Sequence, residues 1–118
     1  MNKKRILLVD DEEGIQLLYR EEFEEEGFDV ISAYNGDEAL EKFSQEPPDL
    51  VILDINMPGM SGIEVLRRMK ELNPDLPVIL SSAYQEYKQD FSTWASEDYI
   101  VKSANMDELK NAVRKHLI

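Results

Sequence analysis

Short apolar runs alternate with longer amphipathic stretches along the whole chain. Ile6-Leu7-Leu8-Val9, Leu50-Val51-Ile52-Leu53, Pro77-Val78-Ile79-Leu80 and Tyr99-Ile100-Val101 are strand-like, rich in Val, Ile and Leu, and bounded by polar residues. With the stretch from Phe28 to Ala33 they predict strands over 5–9, 28–33, 50–54, 77–81 and 98–101. Runs apolar throughout suit parallel strands covered on both faces. The pattern therefore predicts an α/β chain: a doubly wound, five-stranded parallel sheet with right-handed crossovers in the order 2-1-3-4-5.

The helices between the strands carry their own punctuation. Ile15, Leu18, Tyr19, Glu22 and Phe23 are predicted to share the inner face of the first, which Gly27 ends as a C-terminal glycine. Asn35-Gly36 turns into the second, with Ala39, Leu40 and Phe43 inward and Pro47-Pro48 stopping it. The third begins near Gly62, with Ile63, Leu66 and Met69 or Lys70 inside, and breaks at Asn73-Pro74. Tyr87, Phe91, Trp94 and Ala95 recur at i, i+4, i+7 and i+8, which predicts a short or irregular fourth helix within 84–97. The last helix is expected from about Asn105, with Leu109, Ala112, Val113 and Leu117 as its stripe.

Length and charge narrow the function. The 118 residues suit a single domain over 1–118 with one sizeable core. A formal net charge of -12 argues against direct nucleic-acid binding, which needs clustered Lys and Arg. There is no cysteine for disulfides or thiolate chemistry. The first apolar run, only four residues long, is too short for a signal segment or a membrane span. A cytoplasmic location without membrane attachment is expected.

The chemistry should lie where the strands end. Ile6-Leu7-Leu8-Val9 runs into Asp10-Asp11, Leu50-Val51-Ile52-Leu53 into Asp54, Pro77-Val78-Ile79-Leu80 into Ser81-Ser82, and Tyr99-Ile100-Val101 into Lys102. In an open parallel sheet those carboxyl ends form one rim, where ligands bind. Three carboxylates gathered there would repel one another by about 4 kcal/mol per pair at ~4 Å and an effective dielectric near 20. A hard divalent cation answers that repulsion, and Mg²⁺, content with one or two carboxylates plus waters and a phosphate, suits the set better than Ca²⁺. Zinc would lack its usual Cys and His ligands. The competing reading makes each aspartate a turn or capping residue between strand and helix.

Four separated motifs then resemble the receiver domains of two-component response regulators: Val9-Asp10-Asp11-Glu12, Asp49 through Gly62, Pro77-Val78-Ile79-Leu80-Ser81-Ser82-Ala83-Tyr84, and Asp98-Tyr99-Ile100-Val101-Lys102. The resemblance covers the whole chain in register and implies a (βα)5 flavodoxin-like fold. It implies that Asp54 is the phosphoacceptor, that Asp10, Asp11 and Asp54 hold Mg²⁺ with the backbone carbonyl of Asn56, and that Asp10 acts through water. Lys102 would neutralise the incoming phosphoryl group, while Ser82 and Tyr99 would be the switch hydroxyl and switch aromatic. The implied partners are a sensor histidine kinase or histidine phosphotransfer protein, and a downstream protein target. A phosphoacceptor regulator that assists its own phosphorylation and dephosphorylation is expected rather than an enzyme, as a monomer, with pairing of phosphorylated copies left open.

Two departures bear on that expectation. The family usually follows the lysine with a cis proline, whereas Lys102 precedes Ser103. A cis bond before a non-proline residue costs about 2.5 to 4 kcal/mol, so a trans peptide and a differently aimed Lys102 are expected. The stretch from Ser82 to Tyr99 is also about two residues short of the family's spacing and lacks its Gly-Ala. The alternative these leave is a degenerate receiver that binds partners without phosphorylation. An aspartate-nucleophile phosphatase would carry a second aspartate where Asn56 stands. A flavin-binding module would not place Asp10-Asp11-Glu12 against a phosphate. His116 is expected to be exposed on the last helix, away from the chemistry, and Ile15 with Leu18 is either core or a patch for a partner helix.

Overall fold

Apolar side chains along the strands alternate between two layers, which is why the central runs carry no polar face. The computed structural model describes residues 3–82, 98–102 and 106–117. In chain order the elements are β1 (Arg5–Val9), α1 (Glu13–Glu25), β2 (Asp29–Ala33), α2 (Gly36–Gln45), β3 (Leu50–Asp54), α3 (Gly62–Leu72), β4 (Val78–Ser82), β5 (Asp98–Val101) and α4 (Asp107–Leu117). The sheet is parallel in the order β2-β1-β3-β4-β5, as the sequence pattern predicts. The helix expected within 84–97, with Tyr87, Phe91, Trp94 and Ala95, lies outside the described residues, as does Ser103.

One layer joins Leu7, Val9, Val51, Leu53, Val78, Leu80 and Tyr99 to Ala39 and Phe43 of α2 and to Val65, Leu66 and Met69 of α3. The other joins Ile6, Leu8, Leu50, Ile52, Ile79 and Ile100 to Tyr19 and Phe23 of α1 and to Leu109, Ala112 and Val113 of α4. Burying each of the larger aliphatic and Phe side chains among these contributes roughly 1.5–3 kcal/mol, so both layers are needed to offset the entropy of ordering the chain.

Helix ends follow local chemistry. Gly27, at φ 97°, closes α1 in the left-handed conformation. Its N–H donates to the Glu24 carbonyl at 3.0 Å, and the Phe28 N–H donates to the Phe23 carbonyl at 3.1 Å. Both belong to a Schellman ending, and the accompanying apolar contact is the edge-on pair of Phe23 and Phe28 rings, 6.3 Å between centroids. At the start of α2, Asn35 Oδ1 accepts the Glu38 N–H at 2.8 Å, while Glu38 Oε1 accepts the Tyr34 N–H at 2.5 Å. Asn35→Ala is expected to lower stability by about 1 kcal/mol, read as a shift of the urea midpoint at unchanged slope.

The face of α1 departs from the expected one. Gln16, Tyr19 and Phe23 form its buried stripe, whereas Leu18 is 44% exposed and Leu17 64%. Glu22 reaches across to α4, where its carboxylate takes the Lys110 ammonium at 2.6 Å. On α3, Val65 is buried beside Leu66 and Met69, with Ile63 half-buried. Among the described residues no helix is long and apolar enough to cross a membrane.

Candidate functional site

Strand register builds the site before any side chain is considered. Val9 pairs with Leu53, Asp54 with Ser81, and Ser82 with Val101. Asp10, one residue past Val9, and Asp54, one past Leu53, therefore leave the sheet at one level. Paired positions in a sheet point the same way and direction alternates along each strand. Asp10 and Asp54 thus continue the rows of Ile6-Leu8 and Leu50-Ile52, and Lys102 continues that of Ile100, on the face covered by α1 and α4. Tyr99 packs with the opposite layer, on the face that alternation from Leu80 gives Ser82, which is wholly buried.

Carboxylate oxygens of Asp10, Asp11 and Asp54 lie within 4.8 Å of one another, the first and third buried and the second exposed. Asp10 is 1% exposed and Asp54 3%. The Lys102 ammonium sits 2.8 Å from Asp10 Oδ2, 3.5 Å from Asp54 Oδ1 and 3.8 Å from Glu12 Oε1. Lys102 is therefore aimed into the acidic cluster, contrary to the different aim expected from the residue that follows it. Its N–H donates to the Ser82 carbonyl at 2.7 Å, continuing the β4–β5 pairing to the strand tip.

The turn reading of the aspartates and the cluster reading hold together. Asp10 Oδ1 accepts the Glu12 N–H at 2.9 Å, and Asp54 Oδ1 accepts the Asn56 N–H at 3.3 Å. These two-residue turns close both strands and hold the carboxylates in place. Asn56 is itself exposed.

Burial pushes the Asp54 carboxyl up from 3.8 to about 6, with Lys102 opposing and Asp10 reinforcing the rise. Burial alone would lower the Lys102 ammonium, but its hydrogen bond to Asp10 and the charges of Asp10, Asp54 and Glu12 hold it above the ordinary lysine value. One ammonium among four carboxylates leaves an excess of negative charge. Closely spaced oxygen donors with that excess fit a hard divalent cation of the size and preference of Mg²⁺.

Three residues near the cluster were not singled out as site residues from sequence. Glu12 adds a third carboxylate near Lys102, after Asp10 and Asp54. Tyr19, buried in α1, has its phenol pushed up by burial, with Lys102, Asp10, Ser81 and Asp54 all acting on it. Gln16 sends its amide into the carbonyls around Asp10. The available signal was polarity out of place, because Gln16 and Tyr19 stand at i and i+3 of the stripe that ends at Phe23.

The family model described as "Response regulator receiver domain" matches residues 6–114. The chain belongs to this family. It is 40% identical to sporulation initiation phosphotransferase F of Bacillus subtilis, over 99% of this chain and 96% of that one. It is 38% identical to the alkaline phosphatase synthesis transcriptional regulatory protein PhoP of B. subtilis, over 97% of this chain but 48% of that longer protein. Among solved structures it superposes on the response regulator TrrA of Thermotoga maritima, determined in complex with Mg²⁺-BeF, at TM-score 0.92 and 52% identity, covering 97% of this chain and 99% of that one. A second TrrA structure, in complex with the histidine kinase ThkA, matches at TM-score 0.90 and 51% identity, covering 98% and 99%. The receiver domain here thus shares its overall fold with response regulators.

Proposed function

We propose that this receiver domain takes a phosphoryl group on Asp54 from the phosphohistidine of a histidine kinase or histidine phosphotransfer protein. The carrying observation is the buried Asp54 carboxylate, clustered within 4.8 Å with oxygens of Asp10 and Asp11 and 3.5 Å from the Lys102 ammonium. A carboxylate oxygen of Asp54 attacks phosphorus as the bond from phosphorus to the histidine nitrogen breaks, and the electron pair leaves with the imidazole. Water later cleaves the acyl phosphate, returning the carboxylate and inorganic phosphate.

Asp10, Asp11 and Asp54, with the Asn56 carbonyl, would hold Mg²⁺, which supplies positive charge against the equatorial phosphoryl oxygens. Lys102 carries a second positive charge to the same oxygens, and its pairing with Asp10 keeps it poised at the rim. Ser82 would turn its hydroxyl to the new phosphoryl group, and Tyr99 would pack inward behind it. That coupling converts a local change of charge into a changed protein-binding surface. The Mg²⁺-BeF complex of TrrA and its complex with ThkA support both the cation and the class of donor.

Incubation with acetyl phosphate and Mg²⁺ is expected to add one phosphoryl group to the intact protein by mass spectrometry, and chelation with EDTA to prevent it. Uptake that survives chelation, or none with the cation present, overturns the reading.

A further inference from the structure

We propose that Gln16 is a positioning residue for the loop Asp10–Glu12, holding its carboxylates ready for a divalent cation. The proposal rests on the reading of Asp10, Asp11 and Asp54 as a magnesium site. Gln16 is 2% exposed inside the stripe that α1 packs on the sheet. Its Nε2, which carries two hydrogens, faces three carbonyls, Ala33 at 2.8 Å, Asp10 at 3.0 Å and Leu8 at 3.2 Å, so that one hydrogen is shared between two of them. Its backbone N–H donates to the Glu12 carbonyl at 3.1 Å. Both ends of the loop that carries Asp10 and Asp11 are therefore tied to one residue.

Satisfying the Asp10 carbonyl accounts for one of these contacts and not for the arrangement as a whole. The Ala33 carbonyl already accepts the Asp10 N–H at 3.1 Å, so the amide adds geometry there rather than a missing partner. Facing Nε2 toward three carbonyls also leaves Gln16 Oε1 buried with no hydrogen-bond partner among the described residues. Uncompensated burial of a polar atom is unfavourable, and an apolar side chain of similar volume would avoid it. What the amide provides, and an apolar side chain does not, is a clamp joining the tips of β1 and β2 to the first turn of α1. Asp11 is exposed and sits midway in the clamped loop, so its distance from Asp54 depends on that clamp. Removing partners that orient metal ligands typically weakens metal binding about 10- to 100-fold.

The test uses Gln16→Met, which keeps the volume but has no donor, and Gln16→Ala. Mg²⁺ affinity is measured by calorimetry, cooperative folding by urea denaturation in EDTA, and exchange of the Glu12 amide by NMR in the metal-free protein. A folded variant is expected to bind Mg²⁺ at least about tenfold more weakly than wild type, with faster Glu12 exchange. An affinity within twofold of wild type in a folded variant overturns the role of Gln16 and leaves the metal reading standing. Wild type that takes up no Mg²⁺ overturns the metal reading itself. Should neither variant fold, the metal-free wild type decides: slow Glu12 exchange, close to that of the strands, supports a loop held in advance, and exchange as fast as in an open chain overturns it.

Discussion

Replacing Asp54 with asparagine is expected to stabilise the metal-free protein at pH 8 by about 3 kcal/mol while abolishing phosphoryl uptake. The stabilisation follows from burial. The Asp54 carboxyl is raised from 3.8 to about 6, chiefly by desolvation, against the pull of Lys102 and with the push of Asp10. The folded state therefore holds this proton more tightly than the unfolded chain does. Its favourable contribution is complete below the unfolded value of 3.8, falls as pH rises toward about 6, and is lost above that. At pH 8 the fold carries a desolvated charge that asparagine lacks, while the amide oxygen can still accept the Asn56 N–H. Urea unfolding in EDTA should show the variant ahead at pH 8 and the gap closing as pH falls from about 6 to about 4. A variant no more stable than wild type at pH 8 would mean that the Lys102 pairing outweighs burial.

On the proposed function magnesium should reverse the order, because the cation would bind the folded wild type. At a concentration 100-fold above its dissociation constant it would add about 2.7 kcal/mol, whereas the asparagine variant would lack one charged ligand of the proposed site. The loss of uptake has a separate cause: a neutral amide has no anionic oxygen with which to attack phosphorus. One substitution thus separates the two demands on Asp54, since the charge that the proposed phosphoryl transfer requires also burdens the fold.

Gly62→Ala is expected to destabilise the protein by about 3 kcal/mol or more, at the upper end of overpacking effects. A Cβ at this first residue of α3 would stand 2.2 Å from the Asp54 carbonyl oxygen, 2.7 Å from Ile55 Cα and 3.0 Å from the Asp54 carbonyl carbon. All three are backbone atoms at the end of β3, and no flexible side chain can move aside for them. The Gly62 N–H also donates to the Ile55 carbonyl at 3.0 Å, pinning the helix against the strand. Relief would have to displace Asp54, so phosphoryl uptake should fall along with stability; a misplacement of about 1 Å can reduce a reaction about 100-fold. Gly14→Ala is the control. It lies in α1 with nothing within 4 Å of a built Cβ, and alanine there should add up to about 1 kcal/mol through helix propensity. Equal urea midpoints for the two variants would contradict the close approach of α3 to β3.

Much of this was legible in the chain because it depends on neighbours in sequence. The runs ending at Asp10, Asp54, Ser82 and Lys102 are complete local signals, and once strands are parallel their ends must share a rim. Gly27 and Asn35 could be read for the same reason, since a left-handed ending and a side-chain cap involve atoms only a few residues apart. The inward face of α1 could not. Ile15, Leu17, Leu18, Tyr19 and Phe23 permit more than one apolar stripe, and docking on the sheet selected Gln16, Tyr19 and Phe23 while leaving Leu17 and Leu18 in solvent.

By itself, the sequence determined the parallel α/β layering, the helix punctuation and the identity of the groups delivered to the sheet's carboxyl edge, because periodicity and turn chemistry are written over a few residues. Only the tertiary structure decided that Lys102 reaches Asp10 and Asp54, that Gly62 must be small, and that Gln16 grips carbonyls of Leu8, Asp10 and Ala33. Those contacts join elements far apart along the chain. Their geometry exists only once the two apolar layers have packed and set the position of each helix over the strand tips.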